Sequence, residues 1–271
     1  MVHRSARERR EILRGIRERA SGSEPLVRTV RLPDGAGDDL LGYAAAVPAV
    51  QALRGDGLDL HPEVTFLVGE NGSGKSTLVE AIAVAAGLNP EGGSSQMRMS
   101  TRVSHAPLGD HLQLVRGGRR PRTDFFLRAE SVFTVATELD RIAEEPYAGD
   151  VLGPYGGVSL HELSHGESFL AIAGNRFGGD GFYVLDEPEA ALSAQNQLTL
   201  LRRIHQLVRE GSQFVIATHS PLLLAYPGAR ILGCDEDGLR ELAYDDAPAV
   251  ALTRSFLAAP ERFVDRLLAD D

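Results

Sequence analysis

A chain of 271 residues with 43% hydrophobic and 24% charged positions can bury a substantial core and has the composition of an ordinary globular protein. Its formal charge of −10 argues against wholesale nucleic-acid binding through the overall field, although a local basic patch could still bind. A single cysteine, Cys234, allows neither an intramolecular disulfide nor a cysteine metal cluster, so a reducing cytoplasm is the simplest home.

In chain order, residues 4–20 read as a charged helix with a thin apolar stripe of Ile12, Leu13 and Ile16, giving an N-terminal arm over 1–24. That arm is either solvated or a partner-docking or phosphate-contacting segment. Residues 25–271 form the main domain. "LVRTVRL" and "EVTFLV" predict strands, and "GKSTLVEAIAVAAG" predicts a buried helix closed by Gly87. Residues 88–122 are rich in Gly, Ser and Arg with little periodicity and read as a mobile stretch, the first part of an insertion over about 88–163. A strand "DFFLRAE" and a helix "SVFTVATELDRIAEE" follow, then a helix near 164–176. "GFYVLDE" is a buried strand, "SAQNQLTLLRRIHQLVRE" an amphipathic helix and "SQFVIATHS" another strand. "ARILGC" and "GLRELAY" predict a hairpin before two C-terminal helical segments. No stretch is apolar for long enough to span a bilayer, so the chain is not expected to be a membrane protein itself. Strands alternating with helices indicate an α/β fold with a mostly parallel sheet flanked by helices.

Chemistry enters with Gly69-Glu70-Asn71-Gly72-Ser73-Gly74-Lys75-Ser76, which satisfies G-x-x-x-x-G-K-[ST] between an apolar strand and an apolar helix. Glycines let the backbone curl so that successive N–H groups meet phosphate oxygens, with the positive end of a helix beneath them. Lys75 is the only lysine among 28 basic residues. A compact ammonium on a flexible stem reaches the β- and γ-phosphates inside such a cradle, where a planar guanidinium is too broad. Ser76 then becomes a Mg²⁺ ligand, and Thr77 a partner for the α-phosphate. "FYVLDEPEAALS" delivers Asp186 and Glu187 at the C-terminal end of a strand, where open α/β sheets bind ligands. Asp186 suits the metal-holding role, and Glu187 that of the base that polarises the attacking water.

Across about residues 64–220 these motifs, with "LSHGE" at 163–167 and "ATHSP" at 217–221, resemble the ABC ATPase superfamily of P-loop NTPases. "LSHGE" is similar to its signature, "EAALS" at 189–193 to its D-loop, and His219 to its switch histidine. Ser164 precedes Asp186 by 22 residues and His219 follows it by 33, in the family's order. Each motif also has a structural reading. Ser164 and Glu167 satisfy a capping box, and Ser220-Pro221 reads as an N-cap followed by an N1 proline.

The resemblance implies an ATPase head with a small antiparallel β part and a helical subdomain. It implies ATP and Mg²⁺ as ligands and an ATP-dependent homodimer in which Ser164 and Gly166 of one copy cap the nucleotide of the other, while His219 senses the γ-phosphate in cis. The family expects a glutamine at the end of the strand before the helical subdomain; Arg128 and Glu130 stand there instead, and Gln96 lies in the loose stretch. His165 and Glu167 replace a glycine and a glutamine of the signature. Tyr43 is either a core residue or an adenine platform. The 89 residues between Lys75 and Ser164 accommodate a small subdomain rather than long coiled-coil arms. The wording of the motifs looks most like compact bacterial ATPases grouped with RecF-like and SMC-like heads, acting in DNA maintenance or defence. Arg116, Arg119, Arg120 and Arg122 would be the phosphate contact for DNA. The alternatives are the nucleotide-binding subunit of a membrane transporter and a regulatory ATPase partnered with an effector protein.

Overall fold

The computed structural model describes residues 24–95, 97, 108–147 and 149–269. The predicted arm over 4–20 and Gln96 lie outside the described residues.

Among the described residues the strands form two sheets. Strands β1 (Val27–Arg31), β2 (Leu58–Asp59) and β4 (Gln113–Arg116) form an antiparallel sheet in the order β2-β1-β4. The main sheet runs β5-β6-β7-β3-β8-β9, from β3 (Val64–Val68), β5 (Thr123–Arg128), β6 (Gly181–Asp186), β7 (Gln213–Ala217), β8 (Arg230–Asp235) and β9 (Gly238–Leu242). Its first five strands are parallel, and β9 closes the edge as the antiparallel arm of the predicted hairpin. Every residue of β3, β6 and β7 is buried, as a strand covered on both faces requires. Alternate side chains feed opposite cores. Phe125, Tyr183 and Phe214 point into one, while Phe126, Phe182 and Val215 point into the other. Burying each such side chain contributes about 1.5–3 kcal/mol, which makes this sheet the rigid frame for whatever its strand ends carry.

Among the described residues six α-helices of seven or more residues accompany the sheets: α1 (Lys75–Ala86), α2 (Val132–Ala143), α3 (His165–Ala171), α4 (Ala194–Arg209), α5 (Pro248–Ala258) and α6 (Pro260–Leu268). Gly87 closes α1 in a left-handed conformation, φ +92°, with its N–H on the carbonyls of Ala83 and Val84. Helix α3 runs on into a π turn over Ile172–Arg176.

Part of residues 88–122 is ordered structure rather than a loose insertion. A helical turn, Leu108–His111, and strand β4 lie there, and Gly93 bridges to Phe126. Strand β5, placed inside the expected insertion, is an edge of the main sheet. A buried glutamine joins the two sheets. Gln213 accepts from the Val27 N–H at 2.8 Å and donates to the carbonyls of Val27 and His61 at 2.8 and 2.9 Å.

Candidate functional site

Strand order makes the site. Because β7 lies between β6 and β3, three neighbouring strands end side by side. Strand β3 releases the loop Gly69–Gly74, β6 ends on Asp186 and Glu187, and β7 is followed by Thr218 and His219. This is the carboxyl edge at which open α/β sheets hold ligands.

The loop turns into α1 through Gly74, whose φ of +90° is the left-handed region that side chains disfavour. A β-carbon on Gly74 would strike Val47, and one on Gly69 would meet Ser73 Oγ at 2.7 Å and collide with the Cys234 carbonyl. Lys75 is buried, and its Nζ donates to the carbonyls of Gly69 and Glu70 at 2.9 and 2.8 Å, so the loop curls around its own lysine. Burial pushes this ammonium below the ordinary lysine value, while the carboxylates of Glu187 and Asp186 push it back up. Glu70, Asn71 and Gly72 are exposed at the tip, and Ser73, Ser76 and Thr77 are half-buried. Ser73 Oγ is buried without a hydrogen-bond partner.

Across a separation of 110 residues, Ser76 Oγ donates to Asp186 Oδ1 at 3.2 Å. Burial pushes the Asp186 carboxyl up to about 6, against the lowering influence of Arg128 and Ser76. Glu187 adopts a left-handed backbone, φ +47° and ψ +52°, which costs a non-glycine residue about 1 kcal/mol or more. That conformation sets Glu187 Oε1 3.7 Å from His219 Nε2, a buried nitrogen with no hydrogen-bond partner.

Glu189, counted in the sequence only as part of the D-loop resemblance, holds the histidine's backbone. Its carboxylate accepts from the His219 N–H and, at 2.7 Å, from Thr218 Oγ1. The only signal for it was a second acid after Glu187-Pro188.

Two hollows flank the loop. One, about 650 Å³, lies between Gly69–Ser73, Val47, Pro48 and Cys234–Asp237. The other, about 210 Å³, is lined by Ser76, Arg128, Glu130, Asp186 and Glu187. The first lies in the size range of small-molecule sites. Its glycine curl and the orphaned Ser73 hydroxyl suit a phosphate chain. The second offers a hydroxyl and a carboxylate, hard oxygen donors that suit Mg²⁺, and Mg²⁺ takes its remaining ligands from phosphate and water. Among the described residues no group of three or more His, Cys, Asp or Glu could hold a metal by itself. Tyr43 is 65% exposed, so it is not a core residue, and it lines neither hollow.

Ser164 caps α3 in a reciprocal capping box. Its Oγ donates to Glu167 Oε2 at 2.6 Å, and its N–H donates to the same oxygen at 2.9 Å. Ser164, His165 and Glu167 are exposed, and Ser164 and Gly166 line neither hollow of their own chain. The basic run is likewise outside the site. Arg116 at the end of β4, and Arg119, Arg120 and Arg122 in the link to β5, are exposed, with Arg119 paired to Asp180 at 2.8 Å.

A family model described as "AAA domain" matches residues 52–115, and one described as "AAA domain, putative AbiEii toxin, Type IV TA system" matches residues 103–225. The lipoprotein-releasing system ATP-binding protein LolD of Novosphingobium aromaticivorans is 30% identical over 187 residues, covering 64% of this chain and 84% of that protein. The arabinose import ATP-binding protein AraG 2 of Burkholderia thailandensis is 30% identical over 230 residues, or 74% of this chain; the match spans only 41% of AraG 2. Among solved structures, cbiO1 from Clostridium perfringens, part of the ABC transporter complex cbiONQ, is similar with a TM-score of 0.46 and 16% identity. That likeness covers 90% of this chain and 99% of cbiO1.

Proposed function

Because the chain belongs to the ABC-type P-loop ATPases, we propose that it is a nucleotide switch that hydrolyses ATP with Mg²⁺ between two copies of itself. The observation that carries this reading is the convergence of Ser76, Asp186, Glu187 and His219 from three separate segments beside the phosphate loop. The backbone N–H groups of Gly69–Gly74 and the Lys75 ammonium bind the triphosphate. Ser76 and Asp186 hold the metal, and Thr77 contacts the α-phosphate. Bound Mg²⁺ supplies positive charge against the developing negative charge of the phosphoryl group. Glu187 orients the attacking water and accepts its proton. The unpartnered His219 Nε2 is the group that can report on the γ-phosphate.

The exposed Ser164 and the half-buried Gly166, which line neither hollow of their own chain, cap the nucleotide of a second copy, as the family resemblance implies. In this protein the Ser164 hydroxyl must first leave Glu167, whose carboxylate faces the same side. ATP then favours the paired state through contacts that ADP cannot make. The first test is ATP turnover with and without Mg²⁺, for which Lys75→Ala is expected to abolish nucleotide binding. Unchanged binding by that variant would contradict the assignment.

For the process driven by the switch, four exposed arginines within seven positions favour duplex DNA, in RecF/SMC-like maintenance or defence. Duplex should raise turnover, and the stimulation should fall steeply with salt; rates insensitive to both remove DNA from the account. The names of the relatives favour a transporter subunit instead, with a membrane partner for this chain. No helix among the described residues is long and apolar enough to cross a membrane. Co-purification with a multi-span protein supports that second reading. A regulatory ATPase with an effector protein is the outcome expected if a non-membrane partner is recovered.

A further inference from the structure

Arg128 closes β5 beside the metal hollow and contacts three carboxylates. Nη1 donates to Glu80 Oε2 at 3.0 Å, Nη2 lies 3.0 Å from Glu130 Oε1, and Nε faces Asp186 Oδ2 at 3.4 Å. The three contacts differ in kind. Glu80 sits one turn beyond Ser76 on α1, 17% exposed, and ties the guanidinium to the phosphate-loop helix. Glu130 is 76% exposed. The Nε contact to Asp186 is an ion pair without a hydrogen bond, because that buried nitrogen has no hydrogen-bond partner. Asp186 is thus engaged on both oxygens, by a hydroxyl on one side and by a loosely held cation on the other.

We infer that Arg128 is a resident cation that competes with the divalent metal for Asp186 and stays held by Glu80 and Glu130 when its contact to Asp186 opens. This rests on the metal site proposed above. A divalent ion on Ser76 and Asp186 would lie within a few ångströms of the guanidinium, where like charges repel by about 1 kcal/mol or more even through well-screened surroundings. Glu80 anchors the arginine, so the Nε contact to Asp186 is the one that opens. Glu130 projects from the turn between buried Ala129 and buried Ser131 that leads into α2, so the exchange carries the state of the metal site to the base of that helix. Glu80, Glu130, Asp186 and Glu187 against one guanidinium leave a formal charge of −3 around the hollow, so the cluster remains attractive to a divalent cation while Arg128 stays in place.

Competition makes predictions of opposite sign for two variants of the full chain, read by electron paramagnetic resonance titration of Mn²⁺ with a non-hydrolysable ATP analogue. Arg128→Gln should bind Mn²⁺ about tenfold more tightly, since a cation within about 4–6 Å commonly shifts such an equilibrium by one or more decades. Arg128→Lys should return the affinity to that of the unmodified protein. Glu130→Gln, at a 76% exposed position, should bind Mn²⁺ several-fold more weakly because the guanidinium loses one of the carboxylates that hold it away from Asp186. Unchanged or weaker binding by Arg128→Gln, or unchanged or tighter binding by Glu130→Gln, overturns the inference. Binding of a fluorescent ATP analogue in chelator separates the two levels of the account. Loss of all nucleotide binding in the unmodified chain refutes the proposed function, whereas retained nucleotide binding with the wrong metal response refutes only the role of Arg128.

Discussion

Asp186 is held where an ionised carboxylate is unfavourable, 5% exposed at the end of a fully buried strand. Its folded value of about 6 stands against an ordinary 3.8, so the native state binds a proton more readily than the unfolded chain. The penalty for the charge is therefore present in full above about pH 6 and fades as pH falls towards 4. Asp186→Asn should stabilise the nucleotide-free protein at pH 8 by on the order of 1–2 kcal/mol in a denaturant titration, with the gain gone near pH 4. An equal effect at both pH values would show that burial is not the cause. Lys75, Ser76 and Asp186 were legible in the sequence because a fixed spacing brings phosphate chemistry and a strand end together. The grip of Glu189 on His219 and that of Arg128 on Asp186 were not. Those contacts span 30 and 58 residues and exist only once the strands are ordered side by side.

Elements constrain the site through backbone shape as well as charge. Gly74→Ala puts a methyl group against Val47 at a φ of +90°. It should destabilise the fold by about 1–3 kcal/mol and weaken ATP binding at least tenfold, measurable by thermal melts and nucleotide titration. Near-normal binding would mean that the curl does not need a glycine there. At the start of α3, Glu167 occupies the Ser164 hydroxyl and sets a negative charge where a partner's γ-phosphate would approach. Glu167→Gln keeps a capping-box partner and removes that charge. It should tighten ATP-dependent pairing several-fold in sedimentation experiments; unchanged pairing would place α3 outside the interface, and weaker pairing would show that the Glu167 charge does not oppose it. Long apolar runs made β3, β6 and β7 readable. Strand β4 escaped because "QLVR" is largely exposed and carries no alternation of buried and exposed positions.

For the whole molecule, the claim is that one chain carries two half-sites: a phosphate loop with its acidic strand end, and a signature turn that lines neither of its own hollows. The parallel α/β class followed from alternating strands and helices. The insertion of β7 between β6 and β3 did not, because strand order is decided by long-range packing that local pattern does not encode. Yet that order is what sets His219 beside Glu187. The most direct measurement is the mass of the Glu187→Gln protein in solution with ATP and with ADP, by size-exclusion chromatography with light scattering. The account predicts a dimer with ATP that returns to monomer with ADP. A monomer in both nucleotides, with ATP demonstrably bound, would contradict it.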